Sequence, residues 1–185
     1  MVKLKFIINI LICNLLILGL CSLSLRADQN DPKLEKLFQS IKDTKNENEL
    51  AVLTSSIWTI WYETEDYETQ ILFNQGTGLL ESNSYEESLN IFNSVIKQSP
   101  NFAEGWNKRA TLHFLMGNYD ESIKDINKTL SLEPRHFGAL DGLGQIYYER
   151  QNFNDAINAY KRLLDIMPHS SNAKRMLEMI NDKFV

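Results

Sequence analysis

Cysteine is missing from residue 22 onward: the chain has two, Cys13 and Cys21, and both precede Asp28. The body of the chain therefore holds no disulfide, no thiolate nucleophile and no cysteine metal site. Basic charge is scarce as well. Residues 28–100 carry 5 Lys or Arg against 13 Asp or Glu, residues 101–185 carry 11 of each, and the whole chain of 185 residues has a formal charge of −5. Nucleic acid and anionic lipid both need a basic footprint, so neither is expected as a partner. No GxSxG, HExxH, Walker loop or CxxC occurs. With 43% apolar and 23% charged residues the chain is nevertheless that of a globular protein.

The segment 1–27 differs from the rest. Lys3 and Lys5 precede the apolar run FIINILICNLLILGL from Phe6 to Leu20. A basic start, an apolar stretch and then small residues is the pattern of a secretory signal. Cleavage after Ala27 is the leading expectation, with Ser24 as a second position. Two alternatives stay open. Phe6 to Leu25 is long enough, about 30 Å as a helix, to remain as a membrane anchor. Leu18-Gly19-Leu20-Cys21 resembles a lipoprotein box, although Leu20 stands where a small residue belongs. The expected location is export, with the periplasm first and a membrane-anchored form as alternative.

Proline is also rare, and its positions are informative. Of four prolines, Pro100, Pro134 and Pro168 recur at one constant interval. The same interval relates Tyr85, Tyr119 and Phe153, then Phe92, Ile126 and Tyr160, then Ile96, Leu130 and Leu164, and then Leu72, Trp106 and Leu140. Columns in register at a period of about 34 residues mark a helix–turn–helix array. Each unit has two stretches of helical periodicity. The spacing predicts helices over 69–82, 86–98, 103–116, 120–132, 137–150 and 154–166, each second helix being closed by its proline.

These residues resemble the tetratricopeptide repeat family. The resemblance rests on small residues at the eighth place of each unit (Gly76, Ala110, Gly144), on Ser88, Ser122 and Ala156 at the twentieth, and on the closing prolines. It implies an all-α solenoid of three units, 69–102, 103–136 and 137–170. The whole chain is also similar to small exported bacterial proteins of this family, on the strings AEGWNKRATLHFLMGNYDESI and LEPRHFGALDGLGQIYYERQNFNDAI and on the entry KLFQSIKDTKNENELAVLTSSIWTIWYE. That likeness implies an interaction module with no assigned chemistry.

The flanks are helical but off the repeat pattern. In 171–185, Ala173, Leu177, Ile180 and Phe184 form the stripe of a capping helix, which a stacked array needs over its last apolar face. In 28–68, Asp31-Pro32 opens a helix with Leu34, Leu37, Phe38 and Ile41 on one side, and Leu50, Leu53, Ile57, Ile60 and Trp61 make a second stripe over 47–63. The two are expected to stack on the first unit, with Trp58 and Trp61 buried against it. Trp106, aligned with Leu72 and Leu140, is expected in the core.

Candidate chemistry is thin. His113 reads as a part-buried packing residue. His136 and His169 sit at neighbouring inter-unit corners, too far apart to share a metal at about 2 Å. Gly138, Gly142 and Gly144 lie within a helix and form no dinucleotide loop. Glu63, Glu65, Asp66 and Glu68 offer carboxylates to a divalent cation, but a solvated linker accounts for them more simply. No cofactor, metal site, small-molecule substrate or enzymatic activity is expected. Binding of a protein or peptide partner remains, with an anchored subunit of an envelope assembly as the alternative role.

In this family the first helices line a concave face. The resemblance places on it Gln70, Phe73, Thr77 and Leu80, then Glu104, Asn107, Thr111 and Phe114, then Gly138, Asp141, Gln145 and Tyr148. Amides beside the apolar ladder Leu80, Phe114 and Tyr148 suit an extended peptide or a helix. The cations that a C-terminal carboxylate would need are lacking. Finally, only the middle unit has a cation at its seventh place, Arg109, and an acid at its twenty-third, Asp125, which predicts an internal ion pair.

Overall fold

A computed structural model describes residues 28–183. The signal or anchor reading of residues 1–27, with both cysteines, and the expected role of Phe184 lie outside the described residues. Among these residues there are nine helices and no strand: α1 (Lys33–Asp43), α2 (Glu47–Trp61), α3 (Tyr67–Glu81), α4 (Tyr85–Gln98), α5 (Ala103–Leu115), α6 (Tyr119–Leu132), α7 (Phe137–Glu149), α8 (Phe153–Ile166) and α9 (Ser171–Asn181). None is long and apolar enough to cross a membrane. The six repeat helices begin and end close to the ranges that the period predicts.

Local chemistry sets the helix ends. Asn46 accepts from the Asn48 and Glu49 N–H groups at the start of α2, and Asp66 accepts from Thr69 N–H at 2.6 Å at the start of α3. The linker carboxylate is thus a helix cap, and its hydrogen bonds from Thr69 and Gln98 hold its pKa below the usual range. Within each unit the turn needs one residue in the left-handed region: Asn83, Gly117 and Gln151, at φ of 60°, 77° and 57°.

The helices pair as α3–α4, α5–α6 and α7–α8, and the first helices also touch in succession, α3 with α5 and α5 with α7. The eighth and twentieth places make the pairs close. Ser88 Oγ donates to Gly76 O at 2.7 Å and Ser122 Oγ to Ala110 O at 2.8 Å, so buried hydroxyls are satisfied where two helices meet. At Gly144 an added Cβ would stand 2.6 Å from Tyr160 Cζ; the aromatic ring occupies the space that glycine leaves. Helix α9 packs on α8, burying Ala173 and Ile180, and caps the array.

Two expectations need correction. The hairpin α1–α2 does not extend the stack as a layer on the first unit. Its core residues Leu34, Phe38, Ile41, Ile57 and Trp61 belong to one cluster with Ala110, Ile126, Phe137 and Leu140, whereas Phe73, Phe92, Val95 and Phe102 of the first unit form a separate cluster with Leu112 of α5. The hairpin doubles back across the repeats, and α1 reaches α8. Five large apolar side chains gain there, each by about 1.5–3 kcal/mol on burial. Trp61 is buried as expected and Trp58 is half-buried, both against the start of the third unit rather than the first.

Trp106 is the second correction. It is partly exposed, its Nε1–H donates to Pro100 O at 2.9 Å, and Arg109 and Lys128 lie over its ring at 5.0 and 6.0 Å. The indole N–H needs an acceptor, and the carbonyl of the loop before α5 supplies one at the edge of the array. At the matching places Leu140 is fully buried, whereas Leu72 in the first unit is only partly buried.

Candidate functional site

The expected groove residues separate into a closed end and an open end. At the closed end, where α3, α5 and α7 begin, Phe73 is 1% exposed, Glu104 1% and Asn107 8%. The close of α2 lies over this end, and Asn107 marks its border with the open end. The ring of Tyr62 meets Phe73 at 5.7 Å, and its hydroxyl accepts from Lys108 Nζ at 2.8 Å. Trp58 lies edge-on to His136 and Phe137, and an added Cβ on Gly138 would stand 2.7 Å from Trp58 Cη2. Gln70 is engaged too: Oε1 accepts from Thr64 N–H at 2.9 Å and Nε2 donates to Tyr62 O at 3.1 Å, which ties the linker down.

A buried polar network backs this end. His136 is fully buried at the N-terminus of α7. Its Nδ1 accepts from Ala139 N–H at 3.0 Å, which leaves the ring proton on Nε2 to donate to Glu104 Oε2 at 2.8 Å. Asn107 Nδ2 donates to the same carboxylate at 3.1 Å, and Lys108 Nζ lies 3.6 Å from it. Burial works against the Lys108 ammonium, but Glu104 and the Tyr62 hydroxyl more than offset it and hold its pKa above the usual value. The Trp61 ring stacks flat on His136, centroids 4.2 Å apart and planes at 10°. Reading the sequence missed His136 as a member of the groove, since a histidine after a proline has no signal beyond its place in a turn.

At the open end, Asn107, Thr111, Phe114, Asp141 and Gln145 line a cavity of about 270 Å³ between α5 and α7, together with Leu115, which is 47% exposed. Gly138 lines it as well, so the structure brings six of the expected residues to one site. Leu115 lay outside the expected set, because the repeat pattern assigns no groove role to its place. Thr77 donates to its own helix at Phe73 O, and Leu80 packs on the first unit's core. The apolar ladder packs within units: Phe114 lies 5.7 Å from Tyr119 and Tyr148 5.9 Å from Phe153, with Lys183 Nζ 4.4 Å over the Tyr148 ring.

Asp141 sets the electrostatics of the open end. It is half-buried, and it accepts from Gln145 Nε2 at 2.8 Å and Asn172 Nδ2 at 2.9 Å. Burial raises its pKa from the ordinary 3.8; the two amides and the more distant Arg175 offset this only in part. No cation forms an ion pair with it among the described residues. His113 behaves as expected, part-buried, with Nε2 4.0 Å from Asp125 Oδ2. No group of three or more His, Cys, Asp or Glu is placed to hold a metal ion among the described residues.

Comparison with known proteins adds to this geometry. Residues 101–169 match the family model described as tetratricopeptide repeat. A TPR repeat-containing protein of Rhizobium etli is 32% identical over 151 residues, covering 82% of this chain and 74% of that protein. Among solved structures, the fold is similar to that of the Yersinia enterocolitica type III secretion chaperone SycD in complex with a peptide of the translocator YopD, with TM-score 0.62 and 12% identity over 65% of this chain and 98% of that one. It is also similar to the first TPR of Spaghetti (RPAP3) bound to the HSP90 peptide SRMEEVD, with TM-score 0.60 and 19% identity over 63% of this chain and 92% of that one.

Proposed function

The chain belongs to the tetratricopeptide repeat family, and on that premise we propose that it is a protein–protein interaction module whose concave face receives an extended segment of a partner at the open end. Asp141 carries this reading. It is half-buried in the groove, held by two amides and without an ion pair among the described residues, so burial still disfavours its charge, and such groups concentrate at functional sites. A partner that brings an N–H group or a cation to Asp141 offsets that effect. Phe114 and Leu115 offer apolar contact beside it, and the exposed Thr111 hydroxyl and the Gln145 amide oxygen offer polar contacts to a peptide backbone. The peptides held by the two solved neighbours support a peptide ligand here.

We place this activity outside the cytoplasm, on the basic start and apolar run of residues 1–27, with a protein of the cell envelope as partner. Mass spectrometry of the native N-terminus tests the location. A start at Asp28 supports free export; a start at Met1, or lipid on Cys21, puts the module on a membrane.

The binding face is tested by a photo-crosslinking residue in place of Thr111. It is expected to capture a partner in cells, and the capture is expected to disappear when Asp141→Ala is added. The same crosslinker at Lys124, exposed on α6, is the control. Equal capture from both positions would remove the groove from the account.

A further inference from the structure

The closed end of the groove is filled by this chain's own helix, and the fit has the features of a binding site. We propose that the end where α3, α5 and α7 begin is a helix-binding site, occupied by α2 of the same chain and opened by a partner helix that carries aromatic residues on the spacing of Trp58, Trp61 and Tyr62. This deepens the reading above and rests on its premise that the concave face is the binding face.

Three observations carry it. First, the site is shaped for an aromatic edge. At the second place of each unit stand Gln70, Glu104 and Gly138. Only the third unit lacks a side chain there, and Trp58 fills the gap, 2.7 Å from where a Cβ would be. Second, the site is polar beneath and flat on top. His136 is fixed by Ala139 N–H on one nitrogen and by Glu104 on the other, and it offers its face to Trp61 at 4.2 Å. Lys108 offers a donor to the Tyr62 hydroxyl at 2.8 Å. An amphipathic helix with aromatics three and four apart meets all of these at once. Third, α2 is not a layer of the stack. Its buried residues join the core of the second and third units, across the first, to which its linker leads directly. It is also an incomplete occupant: the buried Trp61 Nε1 has no hydrogen-bond partner among the described residues. A partner helix that supplies an acceptor near that position has an advantage over α2.

Because α2 is tethered, it competes at a high effective concentration, and a partner's apparent affinity is reduced by the fraction of molecules that are open. The test uses the full chain and a labelled synthetic peptide of residues 44–63. In the Trp58→Ala/Trp61→Ala variant, amide exchange over 33–61 is expected to quicken while α5 to α8 stay protected. The peptide is expected to bind this variant at least about ten-fold more tightly than it binds the unaltered protein. Gly138→Ala is the second variant, for the case in which the double variant fails to fold. Its new Cβ pushes on Trp58 without removing any core side chain, and exchange over 33–61 is again expected to quicken.

Unchanged exchange over 33–61 in the folded double variant, or in Gly138→Ala if the double variant does not fold, overturns the proposal. So does a peptide that binds the folded double variant no better than the unaltered protein. Either failure leaves the open end untouched, since crosslinking from Thr111 reports on that end alone. Loss of that capture with the peptide still binding would reject the open-end reading and keep this one.

Discussion

Arg109 holds Asp125 in a two-pronged grip across the middle unit. Nε lies 2.7 Å from Oδ2 and Nη2 lies 2.7 Å from Oδ1. The pair is largely buried, with side-chain exposures of 20% and 5%, and Nη1 also donates to Asn93 Oδ1 at 2.8 Å, which fastens the first unit to the second. Parallel bonds from a planar fork to a carboxylate are the strong form of this contact.

A double-mutant cycle on this pair is expected to give a coupling energy of about 1–3 kcal/mol in thermal or denaturant unfolding. Arg109→Ala/Asp125→Ala should be more stable than Asp125→Ala alone, because the single change leaves a guanidinium with its charge uncompensated at a helix interface. A coupling energy near zero would contradict the geometry.

Gly144→Ala decides between two opposing effects. Alanine gains up to about 1 kcal/mol over glycine in a helix interior. Its Cβ, however, would stand 2.6 Å from the Tyr160 ring, which is fully buried and has little room to retreat. Overpacking of this kind costs roughly 1–3 kcal/mol, so the net change is expected to be destabilising. A raised melting temperature would show that the ring can move.

Trp106→Ala should cost clearly less than the roughly 3–5 kcal/mol typical of a core tryptophan. Part of the ring already meets water, and what is lost is the bond to Pro100 O and the contact with two cations. Chemical denaturation of the variant measures it, and a loss in the core range would put Trp106 back inside.

Asp141 gives a pH dependence of definite sign. Its folded pKa is raised by burial, so at pH values just above the ordinary 3.8 the folded state binds more protons than the unfolded one. Stability contributed by this residue therefore falls as pH rises from 3.8 through the raised value, and the deficit persists above it. Asp141→Asn is expected to remove this slope and to leave the protein at least as stable at neutral pH. The same change should weaken partner capture from Thr111. A variant that is less stable at neutral pH and slopes as before would contradict the reading of Asp141 as a group kept for binding.

The repeat itself could be read from the sequence because its contacts are local and occur three times. Ser88 meets Gly76 and Ser122 meets Ala110 within one unit, and Tyr160 packs on Gly144 in the third, so each contact leaves a column at the repeat period. The Arg109–Asp125 pair was legible for the same reason, since two units served as controls for the third. The open end of the groove followed from the same columns: Asn107 and Asp141 stand at one equivalent place on α5 and α7, and Thr111 and Gln145 at another.

The sequence by itself thus determined the helices, their pairing and the face that the first helices share. Only the tertiary structure decided what lies on that face. The docking of α1–α2 happens once, so it leaves no period, and it joins residues far apart in the chain, such as Tyr62 to Lys108 and Trp61 to His136. It depends on the stacked units presenting one continuous surface, which no single unit encodes. Trp106 belongs to the same class. Its column predicted burial, but an indole N–H must find an acceptor, and the one it found, Pro100 O, exists only where two units meet.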